Sequence, residues 1–528
     1  MIHVREAVDT DVEQIRDIFY ATYGEHYAYP QYYDLQVLKK LVFGDDTLLL
    51  VAEDEESSDL LGTASVLLHV GAYADLVGEF GRLAVRPESR GHHVGQHLME
   101  ERLRRVQDQL HVGIVDNRAA HPFSQRISAA NGFVPVGFVP QKLMLQRRES
   151  IAIFIRHFGD ALQLRRNHPR LIPEAHRLAT QALQNCGLCA DVIVDEESAA
   201  YPQCDRFDLE EFRTEGYSTL LRIERGRIRH REIVGPLRLH YGLFQLRARH
   251  STYLVARERG EIVGAVGFAV DDVEKTVRIF ELISLNEEPI RCLLNQLVSL
   301  CAEKWATEQL EVDVNAHAPR MQRTLLELGF LPVAYLPAFV FHDVERLDVL
   351  KMAHLAVPFD LGEIHLHDAV RPIAENVIAS FSSREVQPEI AAAIADARLF
   401  QGLNDEQAQR LAVAGATRSF QPGEQVTVQD QPGCELFLVL NGEVNVTVDG
   451  KAVGGLGPGD CVGELALLDQ QLHSATTTAQ TPVTTAVLPH TEIHRLARSR
   501  PDIGLVMYRN LAGGLGEKLR RADEQIGE

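Results

Sequence analysis

Between Leu83 and Leu103 the sequence reads LAVRPESRGHHVGQHLMEERL: a strand-like segment, a basic turn containing glycine, then apolar residues near the helical period. A strand ending above a helix N-terminus leaves the first amides of that helix without intrahelical partners, and such amides favour phosphate or pyrophosphate. Arg90 adds positive charge, and Gly91 and Gly95 permit close backbone approach, so that with His92, His93 and Val94 they form a candidate anion cradle. Just upstream, Glu79 in VGEFGRL is a carboxylate that could accept a proton or pair with Arg82. Far downstream, GDCVGEL places Gly463, Glu464 and Leu465 at a turn entering a short helix, and His473, Ser474, Ala475 and Thr476 lead into a strand. There Glu464 can accept from a ribose hydroxyl, while amides and small hydroxyl residues can reach phosphate oxygens. Cys186 and Cys189, and His365 and His367, have ligand-like spacing, but neither pair has further ligands near it in sequence, and no metal is expected.

Elements to position these residues must come from several domains, because 528 residues exceed one ordinary hydrophobic core. A formal charge of -21 disfavours a nucleic-acid footprint, which needs concentrated positive charge. No charge-free apolar run is long enough to cross a bilayer, and MIHVREAVDTDVEQI lacks the basic and apolar regions of a secretory signal, so no membrane partner and a cytoplasmic location are expected. Seven cysteines spread over the chain do not make a dense disulfide framework.

Residues 1–150 alternate strand-like runs (TLLLVAED, LLGTASVLLHV, FGRLAV) with the helix beginning at Val94, the order of a mixed α/β sheet. Residues 151–370 repeat that order, with a hairpin around Arg259–Gly260. HPFSQRISAANGFVPVGF from His121 returns as APRMQRTLLELGFLPVAY from Ala318: Pro122, Gln125, Arg126, Gly132, Phe133 and Pro135 reappear at one offset as Pro319, Gln322, Arg323, Gly329, Phe330 and Pro332. A helical linker is expected over 371–394. From 395 to 528, short strands separated by Pro-Gly, Asn-Gly and Asp-Gly turns suggest a small β-barrel or jelly roll. A last amphipathic helix from about Asp502 is a candidate either to close over a pocket or to pair two chains as a homodimer.

The stretch at 85–95, with VRP at 85–87 and NGF at 131–133, resembles the coenzyme motif of the GNAT family of N-acetyltransferases, Gln/Arg-x-x-Gly-x-Gly/Ala, over most of residues 1–150. The resemblance implies acetyl-CoA, or another acyl-CoA, as cosubstrate, with Arg90 to Gly95 on its pyrophosphate and the backbone near Leu83 and Val85 polarising the thioester carbonyl. It implies Glu79 as the base that deprotonates an amine. It also exposes two departures: His93 replaces the middle glycine, and Ser128 stands where the family often has a tyrosine acid. In the second copy the corresponding turn, SLNEEPIRCLL, has no glycine and adjacent glutamates, which reads as a non-catalytic unit that packs on the first or shapes its acceptor groove.

QPGE at 421–424, NGEV at 441–444, PGD at 458–460 and GELALL at 463–468 are similar to cyclic-nucleotide-binding domains, which implies cAMP or cGMP as effector. The arginine that grips the cyclic phosphate in that family is His473 here. The expected fold is thus an α/β mixed-sheet acyltransferase fold in two copies, followed by a β-barrel or jelly-roll cyclic-nucleotide-binding-like domain. The expected function is N-acyl transfer from acetyl-CoA to a primary amine on a small molecule or a protein lysine, under a regulatory domain. The competing reading, favoured by His93, Ser128 and His473, is a non-enzymatic sensor or scaffold.

Overall fold

The strand-like runs pair within one 14-stranded sheet. The structure, a computed structural model, describes residues 2–69, 76–212, 231–234, 250–305, 307–412, 414–469 and 472–526. Two compact units divide the chain: Met1–Asp195 with Ala200–Ala379, and Glu196–Ala199 with Ser380–Glu528.

In the first unit the strands are β1 (Ile2–Glu6), β2 (Thr47–Asp54), β3 (Leu60–His69), β4 (Val77–Val85), β5 (Val112–Arg118), β6 (Val134–Met144) and β7 (Arg148–His157). A short parallel pair, β8 (Arg170–Leu171) and β9 (Ile193–Val194), stands apart from the large sheet. That sheet continues with β10 (Asp208–Glu211), β11 (His250–Glu258), β12 (Glu261–Asp271), β13 (Thr276–Ser284), β14 (Gln309–Asn315), β15 (Leu331–His342) and β16 (Glu345–Leu355). The helices are α1 (Val12–Tyr23), α2 (Leu35–Val42), α3 (Val94–Val106), α4 (Phe123–Ala130), α5 (Pro173–Asn185), α6 (Glu288–Glu303) and α7 (Pro319–Glu327).

Across the sheet the order is β1-β2-β3-β4-β5-β7-β6-β15-β16-β14-β13-β12-β11-β10, which reads alike outward from the β6–β15 seam. The recurring residues explain why. Gln125 and Gln322 are fully buried, and each donates from Nε2 to the carbonyl that ends its strand, Arg118 O at 2.9 Å and Asn315 O at 3.3 Å. Gly132 and Gly329 close α4 and α7 with φ of 75° and 86°, a left-handed conformation that costs an L side chain energy. Phe133 and Phe330 then enter the core.

Close approach makes the seam. Gly137 faces Ala334 across β6 and β15, and a Cβ on Gly137 would lie 2.2 Å from the Ala334 Cβ. Arg148 pairs with Glu308 at 2.5 Å, Lys142 pairs with the buried Glu311, and His157 Nε2 lies 2.8 Å from Pro337 O. The boundary expected at 150 falls inside β7, whose apolar IAIFI pairs with β5 on one side and β6 on the other, and the sheet runs on through the seam.

The C-terminal unit corrects one expectation. Its strands β17 (Ala416–Phe420), β18 (Gln425–Thr427), β19 (Glu435–Asn441), β20 (Val444–Val448), β21 (Lys451–Leu456), β22 (Cys461–Val462), β23 (Thr476–Ala479) and β24 (Val483–Pro489) form two four-stranded sheets, β17-β24-β19-β22 and β18-β23-β20-β21. Neither curls into a β-barrel or jelly roll. Closure requires the outermost strands to hydrogen-bond to one another, and here the outer β22 and β18 have only two and three residues. Alternation along β19 serves two cores: Leu436 and Leu438 join Phe400, Leu488, Ile503 and Met507, while Phe437 and Val439 join Phe420, Val444 and Val487. The chain's last helix runs Pro501–Ile526. Among the described residues, no helix is long and apolar enough to cross a membrane.

Overpacking at the seam gives a direct test. Gly137→Ala is expected to lower stability by about 1–3 kcal/mol, with partial recovery in the Gly137→Ala, Ala334→Gly double variant. Urea midpoints followed by the fluorescence of Trp305, the single tryptophan, check this. Independent, additive effects would rule out the direct approach.

Candidate functional site

Parallel β4 and β5 begin as partners and then part. Their register holds from Val77–Val112 to Glu79–Ile114 and stops there. The cause lies on the other side of β4, where the β3–β4 register shifts between Thr63 and Ser65 and Arg82 adopts φ 54°. A bulge of this kind bends its strand and re-aims side chains. Arg102, buried on α3, donates to Ser65 O at 3.1 Å and Gly81 O at 3.2 Å, pinning the bulge from beneath. Burial pushes the Arg102 guanidinium down to about 9, so its affinity for the proton is spent against desolvation.

A cavity of about 150 Å³ opens where the strands part. Glu79 and Leu83 from β4, Asp116 and Asn117 from β5, Ser128 from α4 and Lys142 from β6 line it. Tyr23, Tyr27 and Tyr29, the aromatic segment ahead of β2, wall one side, and Glu274 from between β12 and β13 reaches it from the second half. Burial raises the Tyr23 phenol above its ordinary value, against the pull of Arg118. Glu79 is about one-third exposed and accepts from Arg82 at 2.5 Å, while the Arg82 side chain is nearly covered. Ser128 is buried and donates to Asn117 Oδ1 at 3.2 Å. The Asn117 Nδ2 has no hydrogen-bond partner among the described residues.

The cradle stretch lies where β4 leaves the sheet. Arg90, Gly91, His92 and His93 are exposed, and Val94 and Gly95 are buried in the first turn of α3. Gln96 and His97 donate to His93 O at 3.0 and 3.1 Å, so the amides of Val94 and Gly95 precede the first bonds of the helix. Gly95 has to be small: a Cβ there would meet Ile127 Cδ1 at 3.0 Å and Leu83 Cδ2 at 3.6 Å. Asn131 of NGF donates to Gln96 Oε1 at 3.3 Å, tying that motif to α3. Val85 O accepts from Thr22 at 3.4 Å. His93 is the N-cap and stands at φ 60°, ψ 14°. The position left without its glycine is therefore one where glycine is favoured, and histidine there costs about 1–2 kcal/mol.

In the C-terminal unit, Gly463 has φ 87°, and a Cβ would lie 2.6 Å from Glu435 O, so the turn is restricted to glycine. His473 Cε1 lies 3.5 Å from that same Cβ position, which brings Gly463 beside His473, with Glu464 and Leu465 next in the chain. Ser474, Ala475 and Thr476 follow into β23, where Thr476 Oγ1 accepts from Gln429 N at 2.9 Å. Burial lowers the His473 pKa, with Glu435 opposing, so the imidazole is mainly neutral at pH 7.

Sequence reasoning missed Arg102, Asp116, Asn117 and Lys142. A signal for Asp116 was present: it is a charged residue inside the apolar strand VGIVDNR, and EVDVN repeats it at Asp313. Arg102 gave none, since an arginine on a helix of mixed charge reads as solvated. Among the described residues, no group of three or more His, Cys, Asp or Glu side chains converges as a metal site.

Comparison with known proteins places two families on the chain. The model of the acetyltransferase (GNAT) family matches residues 12–128, and that of the cyclic nucleotide-binding domain matches residues 417–500. Glutaminase 2 of Bradyrhizobium diazoefficiens is 28% identical over 163 residues, 30% of this chain and 26% of that protein. The chain thus spans about a quarter of the length of that relative. A cGMP-dependent protein kinase of Toxoplasma gondii is 33% identical over 109 residues, 20% of this chain and 11% of that one. Among solved structures, the catabolite activator protein of Thermus thermophilus is 29% identical, with TM-score 0.23, covering 25% of this chain and 62% of that one. The chain carries a GNAT-like acetyltransferase domain in its N-terminal part and a cyclic-nucleotide-binding-like domain near its C-terminus.

Proposed function

We propose that this protein transfers an acyl group, acetyl in the first instance, from acyl-CoA to a primary amine on a small molecule or a protein lysine. The observation that carries the reading is the parting of β4 and β5 beside the turn that leads into α3: an exposed stretch from Arg90 to His93 and a cavity bearing Glu79 and Asp116, all within the family-matched residues 12–128. In this reading Arg90 and the amides from Gly91 to Gly95 hold the pyrophosphate. The backbone of Leu83 to Val85 polarises the thioester carbonyl. Glu79 and the cavity's other carboxylates receive the amine as ammonium and lower the cost of freeing its nitrogen. Ser128 is no substitute for a phenolic acid, so the thiolate leaves with a proton from water. The span from about 151 to 370 acts as a second, non-catalytic copy of the same fold that shapes the acceptor side, as the reach of Glu274 into the cavity suggests.

The C-terminal domain is proposed to bind cAMP or cGMP through Gly463, Glu464, Leu465 and the segment His473–Thr476. A neutral imidazole offers the phosphate a donor without a fixed charge, so affinity is weaker than an arginine would give.

Calorimetric titration with acetyl-CoA tests the first site: saturable binding is expected, weakened at least about tenfold in Arg90→Glu. His93→Gly is expected to keep that affinity, and His93→Val to lose it, because a β-branched side chain tolerates positive φ least. Absence of binding by the intact folded protein would leave the scaffold reading. For the second site, cAMP and cGMP titrations of His473→Arg are expected to show tighter binding than the parent, and the parent itself to bind better as the pH falls below the ordinary imidazole range and His473 gains its proton. Equal affinities in both proteins across that range would remove His473 from the site.

A further inference from the structure

The cavity holds a carboxylate better placed for proton transfer than the one ion-paired to Arg82. Asp116 lies on β5 just beyond the last β4–β5 pair, open to the cavity, and has no hydrogen bond or ion pair among the described residues. Glu79, across the gap, is held by Arg82 at 2.5 Å. A carboxylate engaged by a guanidinium has its lone pairs occupied and its basicity lowered.

Three cations near Asp116 are otherwise committed, and Glu274 is a further carboxylate on the cavity wall. Lys142 on β6 pairs with Glu311 on β14, Lys351 on β16 pairs with Asp313 at 2.5 Å, and Arg118, further along β5, pairs with Glu149 at 2.8 Å. Desolvation by the surrounding protein, then Glu79, push the Asp116 carboxyl up to about 6, although the residue stays open to solvent through the cavity, with Lys142 and Lys351 pulling the other way and Glu311 adding to the rise. The sequence repeat supplies an internal comparison. Asp313 stands on β14 where Asp116 stands on β5, at the offset that relates Pro122 to Pro319. There the carboxylate is buried and neutralised by Lys351.

We propose that Asp116 is the proton acceptor of the first half, and that Glu79 acts on it through charge. The assignment rests on the acyl-transfer reading above. An acceptor entering as R–NH3+ gives one proton to the Asp116 carboxylate. The freed nitrogen lone pair forms the C–N bond to the thioester carbonyl carbon. The C–S bond breaks, its electron pair leaves on the coenzyme sulfur, and the second nitrogen proton ends on that thiolate by way of water. Asp116 returns its proton to solvent, so the net products are the amide, the free thiol and one proton.

The test is the pH dependence of acetyl transfer from acetyl-CoA to small primary amines and polylysine, with coenzyme binding measured in parallel. In the parent, kcat/KM is expected to rise through pH 6, as the base form appears, and then to level off. Asp116→Asn is expected to lose that limb and at least about a hundredfold in kcat, while still binding acetyl-CoA. Glu79→Gln is expected to keep the limb and move it to lower pH, because the charge that raised Asp116 is gone. Thermal stability gives a readout that a packing role would not: the native state holds the Asp116 proton more tightly than the unfolded chain, whose carboxyl titrates near its ordinary value. Ionised Asp116 therefore burdens the fold above pH 6, and Asp116→Asn should melt no lower than the parent at pH 8. A limb that survives in Asp116→Asn and vanishes in Glu79→Gln overturns the assignment and leaves the transferase. Failure of the parent to transfer to any of these amines overturns both.

Discussion

The candidate site depends on one interruption of hydrogen bonding, the end of the β4–β5 ladder after Glu79 and Ile114. A parallel pair that continued would fill the gap with backbone, leaving no cavity. The bulge at Arg82 forces the parting, and Arg102 stabilises it by donating to two carbonyls that the distorted strands hold inward. An arginine without a carboxylate partner in that position is unfavourable in itself. Its bonds to Ser65 and Gly81 compensate in part, and the result is a rigid bend in place of a flexible one.

Charge then sorts the groups that line the opening. Three cations in the neighbourhood are matched to anions outside the cavity, Arg118 to Glu149, Lys142 to Glu311 and Lys351 to Asp313, while Arg82 neutralises Glu79 within it. Asp116 is left facing the opening with no such partner among the described residues. The second half contributes to this balance, since Glu311 and Lys351 both belong to it. It is an electrostatic wall for the first half as well as a packing partner.

Much of this was legible in the sequence, and the limits follow physical lines. Apolar alternation located β2, β3, β4 and the β11–β12 hairpin, and six recurring residues announced the repeat because each meets a local demand: a helix cap at Gly132, a carbonyl partner for Gln125, a core position for Phe133. Spacing also marked the basic turn ahead of α3 and the turn at Gly463. It did not show that IAIFI lies between β5 and β6 in one continuous sheet, because such a run looks the same whether it opens a domain or closes one. Turn signals suggested a small β-barrel or jelly roll, yet closure depends on the length of the outer strands, which Pro-Gly and Asp-Gly pairs do not reveal. Asp116 and Lys142 were missed for a related reason. Their importance comes from what stands opposite them on other strands, and one chain read in order does not show which strands become neighbours.

The joint at Gly137 and Ala334 has a consequence for how the molecule can be divided. Severing the chain after His157 would strip β6 of its neighbour β15, opening the Gly137–Ala334 bridge and uncovering the small-residue surface around it. Such an edge attracts its own kind. A liberated N-terminal fragment would recruit a second copy along β6, re-creating by self-association the continuity that the intact polypeptide achieves within itself.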